Sequence, residues 1–165
     1  MKKILLLLSI LSIFACVDSK RQEAIDKIKD AEKKLTANLA NLDINAAKAL
    51  IKEYDTFIVA YPKDTSAANM MFKAGDLSQG IGEYGKAIKY WGDLREGFPT
   101  YRLTPDGMFL QAFTYENSLQ DKDNAKRYYM MFLEKYPKHE LAASAKTALE
   151  QIDIPLEELV KSFQK

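Results

Sequence analysis

The sequence predicts an all-α chain, an α-α superhelix of about three helical hairpin repeats with an N-terminal helix and a C-terminal capping helix. The first observation behind this is a period. Pro62, Pro99 and Pro137 lie 37 and 38 residues apart, and each directly follows an aromatic residue: Tyr61, Phe98 and Tyr136. Eight residues before each proline stands Tyr54, Trp91 or Tyr129; five before, Phe57, Leu94 or Phe132; twelve before, Leu50, Ala87 or Ala125. A fixed period in this range marks stacked helix pairs. The second observation is the spacing within a copy. Steps of four, three and four draw one stripe along a helix, which the proline then ends. The third is composition. Among 165 residues Ala and Leu occur 19 times each and Val only three times, which favours helix over sheet. Sixteen of the 18 aromatics fall between Tyr54 and Tyr136, so the stripe reads as the core between helices.

Taken in chain order, residues 1–15 read as a leader that is removed. Met1-Lys2-Lys3 is a short positive region, and Ile4 to Phe14 is an apolar run broken only by serines. That length suits a secretory signal and is too short for a mature membrane span. Ile13-Phe14-Ala15-Cys16 resembles a bacterial lipobox, in which the cysteine is lipidated and becomes the new N-terminus. Phe14 is bulkier than the small residue usual there. The resemblance implies an acylated Cys16, with residues 16–23 as a short tether that holds the folded part close to a membrane. Val17 after the cysteine is, by the same resemblance, not an inner-membrane retention residue. The expected address is the outer membrane, lipid-anchored and facing the periplasm.

The helices follow. Arg21 to Leu42 is a polar helix whose apolar positions Ile25, Ile28, Leu35, Leu39 and Leu42 approach a heptad seam. Ile44 to Tyr61 comes next, then Ser66 to Gln79 capped by Asp64 or Thr65. Tyr84 to Phe98 completes that pair. Thr104 caps a helix with Pro105 at its first position, running to about Leu119. Asp123 caps the next, which ends near Tyr136. Glu140 to Gln151 closes the array. Pro155 opens a last short helix with Leu156, Leu159, Val160 and Phe163 on one face, expected to cap it.

Small residue, aromatic four on, then a terminating proline resembles the second half of a tetratricopeptide repeat. The first half is also present, with Met71, Ala74, Gly75, Ser78 and the turn residue Gly82 ahead of Ala87. Phe109, Ala112, Phe113, Glu116 and Gln120 hold the same positions ahead of Ala125. The resemblance covers roughly residues 45 to 152, within a repeat domain of residues 24–165. The longer spacing around the prolines is similar to that of envelope lipoproteins of outer-membrane β-barrel assembly and of Tol–Pal coordination. The resemblance implies a concave surface lined by first helices. Its groove positions fall on Asn69, Phe72, Asp76 and Gln79 in one helix and on Leu110, Thr114 and Asn117 in the next. The expected function is a membrane-tethered adaptor that binds another envelope protein or peptide. The alternative is a self-associating structural lipoprotein that pairs through the Arg21 to Leu42 seam.

Other chemistries find little footing. With 24 Lys and Arg against 23 Asp and Glu, the chain lacks the basic excess that phosphate neutralisation needs, so no nucleic-acid partner is expected. One Cys and one His cannot assemble a disulfide or a thiolate zinc site. No metal, cofactor or catalytic residue is assigned. Gly80-Ile81-Gly82-Glu83-Tyr84-Gly85 spells a dinucleotide fingerprint, but that motif requires a strand running into it. Here the preceding residues keep helical spacing. Asp121-Lys122-Asp123-Asn124 opens like a calcium loop but lacks the central Gly and the closing Glu. His139 reads as a solvent-facing residue near a helix cap.

Overall fold

A computed structural model describes residues 2–37 and 42–154, with side chains from residue 19 onward. The side chain of Cys16 and the expected helix from Pro155 lie outside the described residues. Seven helices are described: α1 (Lys2–Thr36), α2 (Ile44–Ala60), α3 (Thr65–Gly80), α4 (Tyr84–Gly97), α5 (Thr104–Asn117), α6 (Lys122–Lys135) and α7 (Ala142–Gln151). The chain divides into two compact units, Met1–Phe57 and Ile58–Lys165.

In the first unit α2 buries Ala47, Leu50, Ile51, Tyr54 and Phe57, which lie on one face at helical spacing. From α1 the unit buries Ile28. Two side-chain contacts tie these helices together: Tyr54 Oη donates to Glu32 Oε1 at 2.8 Å, and Lys27 Nζ lies 2.8 Å from Glu53 Oε1. The second pair is exposed and contributes under about 1 kcal/mol. Asp43 caps α2, accepting from Asn45 N and Ala46 N. α1 ends at Thr36, and Leu39 of the expected seam lies outside the described residues. Thr36 Oγ1 donates back to the carbonyls of Glu32 and Lys33, a bond that competes with helix continuation, and Leu42 lies outside the helix, just ahead of the cap.

The second unit packs α3 on α4, α4 on α5, α5 on α6 and α6 on α7, with α3 also touching α5. The proline period is visible here in the backbone itself. Behind Pro62, Pro99 and Pro137 the same turn forms three times: Asp64 N, Tyr101 N and His139 N donate to Tyr61 O, Phe98 O and Tyr136 O at 3.0, 3.0 and 3.1 Å. Three residues on, Ala67 N, Thr104 N and Ala142 N donate to Asp64 O, Tyr101 O and His139 O, each at 2.9 Å. The proline needs no donor in this turn, and its fixed φ stops the helix before it.

Within the hairpins a left-handed residue reverses the chain. Glu83 N donates to Ser78 O and Gly82 N to Gln79 O, a Schellman closure in which Gly82 takes φ +79°. The matching residue of the next hairpin, Gln120, takes φ 55°. The position demands positive φ whichever residue fills it. Gln120→Gly should therefore raise stability by about 1 kcal/mol by relieving the Cβ penalty, while Gly82→Ala should lower it by a similar amount; thermal melts of both variants check the pair.

Trp91 is the hub of this unit. It is 0% exposed and lies between two glycines on different helices. A Cβ placed on Gly75 of α3 would sit 2.6 Å from Trp91 Cε2, and one on Gly107 of α5 would sit 3.2 Å from Trp91 Cδ1. Close helix approach across a fully buried indole requires the missing side chains. Beside it, buried Gln111 of α5 donates through Nε2 to Ile88 O of α4 at 2.8 Å, a polar lock between the two helices. Further along, Met108, Ala112, Ala125, Tyr129, Phe132, Ala142, Ala145 and Ile152 form a second core. The ring of Phe109 meets Tyr129 and Phe132 edge-on there, and Tyr129 Oη donates to Glu116 Oε2 at 2.8 Å. Burial and that carboxylate push the Tyr129 hydroxyl well above its ordinary pKa.

Two caps differ from expectation, and at a third one of the two expected residues serves. α5 starts after Leu103, and Thr104 is its first residue, not its capping side chain. The Thr104 hydroxyl donates to Phe98 O at 2.7 Å, so it serves the proline turn. α6 is capped by Asp121, not Asp123: Asp121 Oδ1 accepts from Asn124 N, and Ala125 N donates to Asp121 O. For α3 the cap is Asp64, which accepts from Ser66 N at 2.7 Å, while Thr65 is already helical.

Candidate interaction surface

On α3, Asn69, Phe72, Asp76 and Gln79 are spaced by three, four and three, so they share one stripe. It flanks the buried face of Ala67, Met71, Ala74, Gly75 and Ser78. Asn69, Phe72 and Gln79 are half-buried and Asp76 is exposed. Phe72 also packs against the small core of Ala68, Met71 and Leu94, alongside Phe98 and Tyr101, so only part of its ring is presented outward. The α5 positions separate. Leu110 is half-buried and Asn117 exposed, and Asn117 Nδ2 donates to Phe113 O of its own helix at 3.1 Å. Thr114 is 0% exposed, so it belongs to the interior and not to the groove; α5 is covered by both α4 and α6, and little of its circumference is left for solvent.

Asp106 and Phe113 on α5, and His139 at the end of the third proline turn, lie outside the expected groove positions. Phe113 is 40% exposed and stacks on Phe109 with ring centroids 6.4 Å apart. His139 is more enclosed than its place near a cap suggests. Its ring meets Phe132 edge-on at 5.6 Å, and Nδ1 accepts from Leu141 N at 3.3 Å. Nε2 lies 3.9 Å from Asp106 Oδ2. The histidine therefore stands two residues after its proline as Asp64 does, while the N-cap of α7 is Leu141.

The electrostatics centre on Asp76. Burial of its carboxyl raises the pKa to about 6, the indole N–H of Trp91 opposes that rise, and the charge of Asp106 adds to it. The Trp91 Nε1–H itself makes no hydrogen bond of standard geometry. A folded-state pKa above the ordinary value means that the folded chain holds this proton more tightly than the unfolded chain. The contribution of Asp76 to stability is thus fully present below about pH 4 and is lost as pH rises through 6. Asp76→Asn should raise stability near pH 8 by less than about 1 kcal/mol, given the solvent that reaches this side chain. The gain should vanish near pH 4, which parallel melts would establish.

Elsewhere the methionine pairs divide: Met70 and Met71 are buried, whereas Met130 and Met131 of α6 are exposed. Arg95, Met108, Met131, Glu134 and Lys135 line a shallow depression of about 530 Å³. In the first unit, Ala31, Leu35, Ala46, Ala49 and Leu50 line a groove of about 380 Å³ rimmed by Lys27, Lys34, Asp43 and Glu53.

The two ligand-like motifs have structural roles. Gly80 ends α3, Gly82 makes the left-handed turn and Gly85 lies in the first turn of α4, so a helix enters the motif where nucleotide binding needs a strand. The Asp121 carboxylate is occupied by Asn124, whose side-chain and backbone donors hold its pKa below the usual range. Among the described residues no group of three or more His, Cys, Asp or Glu is arranged to hold a metal ion, and no helix is long and apolar enough to cross a membrane.

Comparison with known families finds the tetratricopeptide repeat at residues 106–139, the stretch from the first turn of α5 through α6 to His139. No curated protein matches the chain.

Proposed function

We propose that this chain is a lipid-anchored adaptor whose α3/α5 face binds an extended segment or a helix of another protein of the cell envelope. The observation that carries the binding role is the hairpin array itself. Tetratricopeptide repeats imply protein partners, and Asn69, Phe72 and Asp76 of α3 and Leu110 and Asn117 of α5 reach solvent on two helices that touch. Amide side chains pair with a partner's backbone, while Phe72, Leu110 and Phe113 supply apolar contact. The role is binding rather than catalysis. Anchorage at the outer membrane, facing the periplasm, rests on the Ile13-Phe14-Ala15-Cys16 motif and on Val17. Service in outer-membrane assembly or envelope maintenance rests on the resemblance of the repeat spacing to lipoproteins with those duties.

Crosslinking in intact cells followed by pull-down tests both parts. Asn69→Ala combined with Asn117→Ala should reduce partner capture by about tenfold, as loss of two interfacial hydrogen bonds predicts, with an unchanged melting temperature. A fall in melting temperature with capture intact would reject the groove. Cys16→Ser should change which neighbours are captured; identical neighbours in both forms would show that tethering does not organise the function. Self-association through the α1 seam is the weaker reading, because Ile28 of that seam is 3% exposed and already engaged within its own unit.

A further inference from the structure

The two methionines of α6 are placed unlike those of α3 and α5. Met70, Met71 and Met108 are at most 9% exposed, whereas Met130 and Met131 are 56% and 38% exposed. Met131 also lines the depression that Met108 of α5 and Arg95 of α4 share with it. Residues four apart on a helix surface are neighbours, so Met131 has Arg127 on one side and Lys135 on the other. Arg95 comes from across the depression. Its side chain is only 19% exposed, and its Cζ lies 5.6 Å from the centre of the Tyr128 ring. Its bonds to protein acceptors are long: Nη1 donates to Gln111 Oε1 at 3.4 Å, and Nη2 lies 3.5 Å from Glu96 Oε1. Gln111 is itself fixed by Ile88 O. The guanidinium is therefore held in place with donor capacity to spare.

A thioether is a weak acceptor, whereas its sulfoxide is polar and carries an oxygen that accepts well. We infer that Met131 is an oxidation site of this chain and that Arg95 recognises its sulfoxide. The oxidant is a peroxide. The Met131 sulfur attacks one peroxide oxygen, so that an S–O bond forms as the O–O bond breaks and sulfur gives up two electrons. The hydroxide released takes the proton from the new S–OH group, leaving a sulfoxide and water. That oxygen then accepts from Arg95, with Lys135 beside it on α6. An apolar wall of the depression thereby becomes a polar contact, and the helix survives because the side chain faces solvent. Met130 supplies the contrast. It is more exposed but does not line the depression. Its neighbour four residues earlier, Lys126, is engaged by Asp153 at 2.7 Å, and the one four residues later is Glu134, whose carboxylate offers no donor. Both methionines oxidise, and only the product at Met131 is held.

The test exposes the full chain in detergent to hydrogen peroxide and reads its tryptic peptides by tandem mass spectrometry at intervals. Met130 and Met131 should oxidise about tenfold or more faster than Met70, Met71 and Met108, which react only when the fold opens. Recognition is read in a Met130→Leu background, by melting the chain before and after oxidation, with Arg95 and with Arg95→Gln. Oxidation should cost roughly 3 °C or more less in melting temperature when Arg95 is present, as one partly exposed hydrogen bond from a charged donor predicts. Met131 oxidising no faster than Met108, or an equal shift with and without Arg95, overturns the inference. Loss of the helical circular dichroism spectrum on oxidation of Met131 would do the same.

Discussion

Gly75→Ala should destabilise the second unit by about 3 kcal/mol, the upper end of the cost of overpacking a filled core, and lower its melting temperature by roughly 10 °C. The new methyl would lie 2.6 Å from Trp91 Cε2 and 2.7 Å from Cδ1, with Nε1 closer still. It would meet the face of a rigid ring and not the end of a flexible chain. Trp91 has no room to retreat, because Gly107 of α5 closes the opposite side at 3.2 Å for its own added Cβ. Gly107→Ala, where a few tenths of an ångström suffice, should cost only about 1 kcal/mol. The ordering of the two variants is the sharper test: equal losses would mean that the indole is not wedged between α3 and α5. A melt followed by Trp91 fluorescence reports on the wedge directly.

Phe132→Ala should cost about 4 kcal/mol, as deletion of a fully buried ring does. Phe132 is 0% exposed, and its ring meets Phe109, Tyr136 and His139. It thereby joins α5, α6 and the turn that leads into α7. In an array whose hairpins mainly touch their neighbours, damage stays local. Hydrogen exchange should accordingly quicken in α6 and α7 while amides of α3 keep their protection. Uniform acceleration through α3 to α7 would mean that the unit unfolds as one cooperative block.

What the sequence made legible was the part governed by period. The steps of four, three and four before each proline located Trp91, Leu94, Tyr129 and Phe132 in the core, and all four are buried. The resemblance to the tetratricopeptide repeat marked Gly75 as a small position and Gly82 as a turn, and Gln120, with its positive φ, shows that the turn survives loss of its glycine. Gly107 was not legible. In Thr104-Pro105-Asp106-Gly107 it looks like part of an N-terminal turn, and only the position of the Trp91 ring on the neighbouring helix gives it a reason. Gln111 was missed for a related cause, since a polar side chain reads as outward until its partner, Ile88 O, is seen.

The cap of α3 was legible as Asp64, but those of α5 and α6 were not. Asp121 and Asp123 can each accept from a backbone N–H two or three residues on, and the choice was settled by where the chain leaves the left-handed residue Gln120. Thr104 had the composition of a cap but not its position. On the candidate surface, the groove positions implied by the resemblance lie on a solvent-reaching face of α3, whereas on α5 Thr114 is buried. His139 shows the reverse error. Its place near a helix cap suggested an exposed residue, and the aromatic ring of Phe132 that it meets is seven positions away.

The threefold proline turn has a consequence for how such an array changes length. Because each junction is closed by the same pair of backbone bonds, at the same offsets from its proline, its geometry depends little on which side chains surround it. A stretch of 37 or 38 residues begins and ends on equivalent seams. In-frame duplication or loss of one such stretch therefore joins ends that already fit, leaving only the packing of adjacent surfaces to be adjusted. Length in this molecule is a quantity that recombination can alter by whole increments without inventing a new bend.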